Sequence, residues 1–264
     1  MWEGLQLDFM RQAVVASVLI SILCGTLGSY VVVNRIAFIS GGIAHAAYGG
    51  VGLSLFLGIP VLFGTSIFCL ITAVIVGILS FEERARADSL IGVLWAAGMA
   101  VGTFFLDMTP GFKGDVLSYL FGNILLVSRV DNIALLFLDI LVVTLLAIYF
   151  KEFMAISFDR DFSRIIGIPA KTLYVTLICL IAIGIVATIK IVGLLLVVAL
   201  FTIPPYIAER FVFTLGKIMV LSVLLTLFFC ILGLHISFTF NLPTGATIIL
   251  VSSLAFTLSR FIGR

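Results

Sequence analysis

The apolar residues of this chain run together in blocks of roughly 17 to 22 residues, broken by short charged or glycine- and proline-bearing stretches. A block of that length crosses a hydrocarbon core as an α-helix, and the period-two alternation of a membrane barrel is absent. The pattern predicts an all-α, polytopic membrane fold of about nine spans. They fall near 13–33, 38–57, 61–80, 90–106 and 133–150, twice within 173–208, then at 218–234 and 246–261. The 173–208 run must hold two, since one helix of that length would reach about 54 Å, nearly twice a bilayer core. Lys190 to Gly193 marks its turn, and Pro204-Pro205 a distortion or end of the second helix.

The breaks carry their own signals. Gly58-Ile59-Pro60 turns the chain between two spans, and residues 107–115, with Pro110 and Gly111, read as a loop. Val116 to Val127 is too short to cross and is interrupted by Gly122-Asn123, so a re-entrant or interfacial helix is expected there. In the charged 81–89 stretch, Glu82 and Arg86 stand four apart, and Asp88 or Ser89 can cap the next helix. The longest polar interruption, 156–169, offers Asp159 as an N-cap, Gly167 as a stop and Pro169 as the next start. It reads as a short amphipathic helix with acids and arginines outward. Phe158, Phe162, Ile165 and Ile166 are then available to pack on the protein or in a partner's groove. Asn241 to Gly245 is a polar turn, with His235 solvated at its mouth.

Composition confirms the class and narrows the partners. The 264 residues are 62% hydrophobic and 11% charged, with a mean hydropathy of +1.34, whereas a soluble domain carries about 25% charged residues. A net charge of +2, with no basic stripe, points away from nucleic acid. Cys24, Cys69, Cys179 and Cys230 each lie within an apolar run, as small buried residues rather than a disulfide or zinc framework. The first residues lack the basic region and cleavage site of a removed signal. Placing the arginine clusters on the cytoplasmic side sets the N-terminus outside and the C-terminus inside.

Chemistry concentrates in the second span. If 38–57 is helical, the residues sharing the face of His45 are Phe38, Gly41, Gly42, Tyr48, Gly49 and Gly52. Two readings stand beside each other. In one, the glycines allow close helix packing and His45 bonds across the seam. In the other, His45 is a transient metal ligand in a translocation path lined by Gly41, Gly42, Tyr48, Gly49 and Gly52. Asp139, near the middle of the fifth span, divides in the same way between a buried helix contact and a path residue.

Several segments in order resemble the permease subunit of metal-ion ABC importers, the zinc, manganese and iron permeases. They are Arg35 to Gly52, Asp88 to Gly92, Tyr119 to Leu125, Phe158-Asp159 through Gly167-Ile168, Val192 to Leu195 leading to Pro204, and Leu242 to Ala246. The resemblance implies one transmembrane permease domain over 1–264 in the cytoplasmic membrane, with its C-terminus cytoplasmic. It implies no enzymatic activity and no resident cofactor, a divalent metal ion as substrate with zinc ahead of manganese and iron, and a second permease protomer. Two cytoplasmic ATP-binding subunits would hydrolyse the ATP, and an extracytoplasmic metal-binding protein would meet the 107–115 loop and the Asn241 turn. The 157–169 helix would couple to the ATPase through Phe158, Asp159, Arg160, Asp161, Phe162, Arg164 and Gly167, with Glu209 and Arg210 as a second contact. His45 matches the family's histidine, but Gly41 stands where the family commonly has an aspartate one turn earlier, so a paired carboxylate–imidazole site is missing. The alternatives are an ABC permease for a siderophore or cobalamin-type chelate, and a carrier working alone with Asp139 and His45 as coupling groups.

Overall fold

The computed structural model describes residues 8–82, 87–109 and 122–262, and among these the chain is helical and contains no strand. Eleven α-helices follow in order: α1 Asp8–Val33, α2 Ala37–Leu57, α3 Val61–Glu82, α4 Ala87–Met108, α5 Arg129–Ile148, α6 Phe150–Phe158, α7 Arg160–Ile165, α8 Ala170–Val192, α9 Leu194–Phe211, α10 Leu215–Phe240 and α11 Thr244–Ile262. A short 3-10 turn, Ile124–Leu126, precedes α5 and is capped by the Asn123 side chain. Most of the expected 116–127 helix, the Pro110 to Asp115 part of the loop, Tyr119 to Phe121 and the Glu82–Arg86 pair lie outside the described residues.

Local boundaries follow the sequence chemistry closely. Gly58 ends α2 at φ 68°, in the left-handed region, and its N–H bonds to Leu55 while Ile59 N–H bonds to Ser54. A single residue, Gly193 at φ 81°, separates α8 from α9. Pro204 and Pro205 lie inside α9, which continues to Phe211. Asp88 sits within the first turn of α4 instead of capping it. The expected turn from His235 to Thr244 shrinks to Asn241–Pro243, because α10 runs on to Phe240. That extension keeps its hydroxyls satisfied: Thr239 donates to the His235 carbonyl at 2.8 Å, and Ser237 donates to the Leu242 carbonyl at 2.6 Å.

The chain divides into two compact units. The first comprises 8–35, the described residues of 116–148, and 188–262. Here α1 packs against α5, α9 and α10. Small residues let the backbones approach: a Cβ on Gly25 would stand 2.6 Å from the Val223 nitrogen, and one on Gly28 would stand 2.7 Å from the Phe201 carbonyl oxygen. Ser29 reaches Ser222 at 3.2 Å across the same seam. At one end of this unit Asp8 pairs with Arg11 and lies 3.9 Å from Arg129, while Asn132 donates to the Gln12 side chain at 2.8 Å. Lys190, near the end of α8, bonds to Asp131. The second unit comprises the described residues of 36–115 and 149–187; α2 lies between α3 and α4, and α6, α7 and the start of α8 complete it.

Among the described residues eight helices, α1, α3, α4, α5, α8, α9, α10 and α11, are long and apolar enough to cross a membrane. Glycines and His45 dilute the hydropathy of α2, yet α2 runs parallel to α4 over matching depth. Gly42 meets Ile91, Gly49 meets Gly98, and Gly52 meets Gly102. A helix buried among spans needs no apolar outer face of its own. Lys171 at the start of α8 bonds Glu82 at the end of α3 at 2.5 Å, and Asp8 at the start of α1 lies 3.9 Å from Arg129 at the start of α5.

Candidate functional site: the α2–α4 seam and the α7 surface

Helix α2 presents His45, Gly49 and Gly52 at i, i+4 and i+7, and α4 answers with Trp95, Gly98 and Gly102 at i, i+3 and i+7, each set on one helical face. The result is a glycine-lined seam with one aromatic stack in it. The His45 and Trp95 rings lie 3.9 Å apart between centroids with planes 14° apart. A Cβ on Gly98 would stand 2.6 Å from the Ala46 Cα, and Gly102 abuts the Tyr48 ring and backbone. Gly42, Gly49 and Gly52 thus lie in close contact with α4, against Ile91, Gly98 and Gly102. Gly41 differs, being buried while a Cβ there would meet nothing beyond its own helix backbone within 4 Å among the described residues. His45 is half-buried, and its Nδ1 is buried without a hydrogen-bond partner. An imidazole held flat by an indole, with a nitrogen unbonded, keeps a lone pair or N–H for a transient ligand. Among the described residues no three His, Cys, Asp or Glu side chains gather as a metal-binding group.

Trp95 was not among the candidates from sequence. Its signal was its spacing from Gly98 and Gly102, which put it on the packing face of α4.

The polar interruption folds as two helices, not one. Helix α6 carries on after α5 and buries Phe153 and Ile156. Asp159 then breaks the helix in extended conformation and caps α7, its Oδ1 accepting from Asp161 N–H at 3.0 Å and Phe162 N–H at 2.9 Å. Gly167 at φ 84° ends the element and α8 begins after Pro169. The two faces differ in what they meet. Phe158, Phe162, Ile165 and Ile166 stand exposed, Ile165 at 83%, while Arg160 and Arg164 turn over aromatic rings. Asp161 stays outward, its side chain 82% exposed and 4.0 Å from Arg164. The cause lies in Phe81 and Tyr174, which supply ring faces for guanidinium groups.

Asp139 belongs to the first unit, on α5, which packs on α1. It is 3% exposed and neither carboxyl oxygen has a hydrogen-bond partner. His45 belongs to the second unit, as does α7. Glu209 and Arg210 close α9 in the first unit, with Glu209 exposed.

Comparison with known proteins places this architecture. The pattern of the ABC 3 transport family matches residues 6–263. An uncharacterized membrane protein of Synechocystis is 45% identical, the match covering 98% of this chain and 92% of the relative. A manganese transport system membrane protein of Listeria monocytogenes is 31% identical over 96% of this chain and 91% of its own. Among solved structures, PsaBC from Streptococcus pneumoniae in complex with Fab superposes with a TM-score of 0.86 at 27% identity, covering 97% of this chain and 93% of that one. Eight candidate spans among the described residues, a short capped helix between α5 and α8, and a family match over almost the whole length make this chain a multi-pass membrane protein of the ABC 3 transport family.

Proposed function

We propose that the chain is the permease subunit of an ATP-driven importer for a divalent transition-metal ion, with manganese as the first candidate. The observation that carries the reading is full-length similarity to a manganese transport membrane protein, joined to a lone half-buried imidazole on α2. A second reading, zinc, is favoured by the donor set itself. His45 offers nitrogen, and Gly41 supplies no carboxylate beside it, whereas manganese prefers oxygen ligands. In either case the ion makes brief contact with His45, since tight binding in a path would hold it there. Asp139 is a second candidate contact along the path. Gly42, Gly49 and Gly52 serve the helix seam.

In this reading α7 is the surface on which a cytoplasmic ATPase subunit rests. Four apolar side chains exposed beyond the ends of apolar spans need cover, and neither lipid tails nor water suits them all. Two such subunits, a second permease protomer and an extracytoplasmic metal-binding protein complete the assembly, with the α9 end at Glu209 and Arg210 as the lesser ATPase contact. The α7 side and the C-terminus are then cytoplasmic, and the Asn241 turn faces the binding protein.

Elemental analysis of cells with and without the chain, grown under metal limitation, tests the substrate. Manganese content should fall on deletion while zinc holds; a fall in zinc alone selects the second reading, and no change in any divalent metal refutes both. Transport by the isolated chain under an ion gradient, without any ATPase, would point instead to a stand-alone carrier.

A further inference from the structure

Arg160 and Arg164 stand one turn apart on α7, and both lay guanidinium groups over rings of other helices. Arg160 Cζ lies 4.0 Å from the Tyr174 ring centroid and 5.6 Å from that of Phe81, and Arg164 Cζ lies 4.7 Å from that of Phe81. Phe81 is near the end of α3 and Tyr174 is in the second turn of α8; their rings are 5.6 Å apart and both are buried. Two polar links join the same two helix ends. Ser80 and Tyr174 hydroxyls are 3.3 Å apart, and Lys171 bonds to Glu82.

This is an unusual way to anchor a short helix. Its own apolar side chains would be the ordinary anchors, but they face outward. Ser163 is the buried residue of the helix, and Arg160 and Arg164 beside it reach over broad ring faces. A guanidinium stacked on a ring keeps its attraction through sideways displacement, unlike an ion pair or hydrogen bond, which needs distance and angle held together. Such a contact can carry a push from α7 without coming apart. The far end of the link lies in the same compact unit. Helix α3 packs along α2, with Gly50 of α2 against Thr65 and Phe68 of α3, and α2 carries His45.

Resting on the reading of α7 as the ATPase-docking surface, we propose that the stack of Arg160 and Arg164 on Phe81 and Tyr174 is the linkage that carries motion of α7 into α3 and α8. Arg160, Arg164, Phe81 and Tyr174 are positioning residues; none touches the ion.

The test uses the permease with its ATPase subunits in liposomes, reading ATPase retention, ATP hydrolysis and manganese(II) uptake separately. The double variant Arg160→Ala, Arg164→Ala should keep the ATPase bound and hydrolysing, while manganese moved per ATP falls roughly tenfold, on the scale at which coupling between sites ordinarily acts. Tyr174→Ala should do the same. Tyr174→Phe, which keeps the ring face and loses only the Ser80 contact, should retain the normal ratio, and the double lysine variant should retain part of it. An unchanged ratio in the double alanine variant overturns the linkage. So does release of the ATPase by the double lysine variant, which would make the arginines part of the docking surface itself. Phe162→Ala separates the two ideas: if it leaves ATPase binding untouched, the docking reading fails on its own, whatever the arginine variants do.

Discussion

The imidazole of His45 presents one face to the indole of Trp95 and so leaves only its edge for a ligand. The stack decides what each substitution tests. His45→Ala removes the only imidazole on α2, and manganese uptake should be lost while the ATPase still co-purifies. Trp95→Ala leaves the imidazole in place but free to turn, and uptake should fall about tenfold, the lower end of what outer-shell changes around a metal-binding histidine cost. Trp95→Phe keeps a ring face and should recover most of that loss. Normal uptake by His45→Ala would leave the seam as a packing device alone.

The seam itself predicts a contrast between two glycines. Gly98→Val drives a side chain into the Ala46 backbone, where nothing flexible can yield. Overpacking of that kind costs about 1–3 kcal/mol, and the detergent-solubilised protein should melt several degrees lower. Gly41→Ala adds a methyl that, beyond its own helix backbone, meets nothing within 4 Å among the described residues, so its melting temperature should match or exceed that of the parent. Thermal unfolding of the two variants side by side checks both signs.

Much of this architecture was legible because bilayer physics is blunt. Block length marked the spans, and Asp159, Gly167 and Gly193 marked ends by chemistry that acts within a few residues. What escaped needed knowledge of partners far along the chain. The outward face of α7 could not be read from its own six residues, because Phe81 and Tyr174 decide it from other helices. His45 stood out as the lone imidazole in its span, but its neighbours' roles did not. A glycine read alone is equally a gap or a contact, and only Trp95, Gly98 and Gly102 opposite show which. The length of α10 escaped for a related reason, since Ser237 and Thr239 look like turn residues until their hydroxyls are seen bonded to carbonyls of and just beyond that helix.

The hinge between α8 and α9 gives a prediction about backbone alone. Gly193 has φ 81° and ψ 164°, a region only glycine occupies comfortably, and Gly122 presses against the Val192–Gly193 backbone. Gly193→Ala should therefore destabilise by about 1–3 kcal/mol, read as lower melting temperature and lower yield. Val186→Ala, a few residues earlier and within the helix, serves as the comparison for ordinary loss of a buried side chain.

Helix α7 depends on its cap. Asp159 accepts two backbone N–H groups, and losing such a cap costs about 0.5–2 kcal/mol, enough to fray a six-residue helix that has little stability of its own. Asp159→Ala should weaken ATPase binding in proportion, whereas Asp159→Asn, which still accepts, should not. Phe162→Ala leaves the cap intact and removes an exposed ring, so it should weaken binding without raising protease sensitivity at α7. Co-purification and limited proteolysis together separate loss of the helix from loss of the surface.

Asp139 offers the sharpest division between structure and transport. A carboxyl removed from water with neither oxygen hydrogen-bonded costs stability whatever its protonation. Replacement by an apolar side chain of similar volume should then stabilise the first unit, and Asp139→Leu should raise the melting temperature. If the residue does nothing but fill space, uptake will be unchanged or improved along with stability. If the ion touches it, uptake should drop sharply while the protein becomes more stable, and Asp139→Asn should fall between, keeping an oxygen donor without the charge. A rise in melting temperature with loss of manganese uptake assigns Asp139 to the path. A rise with full uptake removes it from the path and leaves His45 as the candidate that remains.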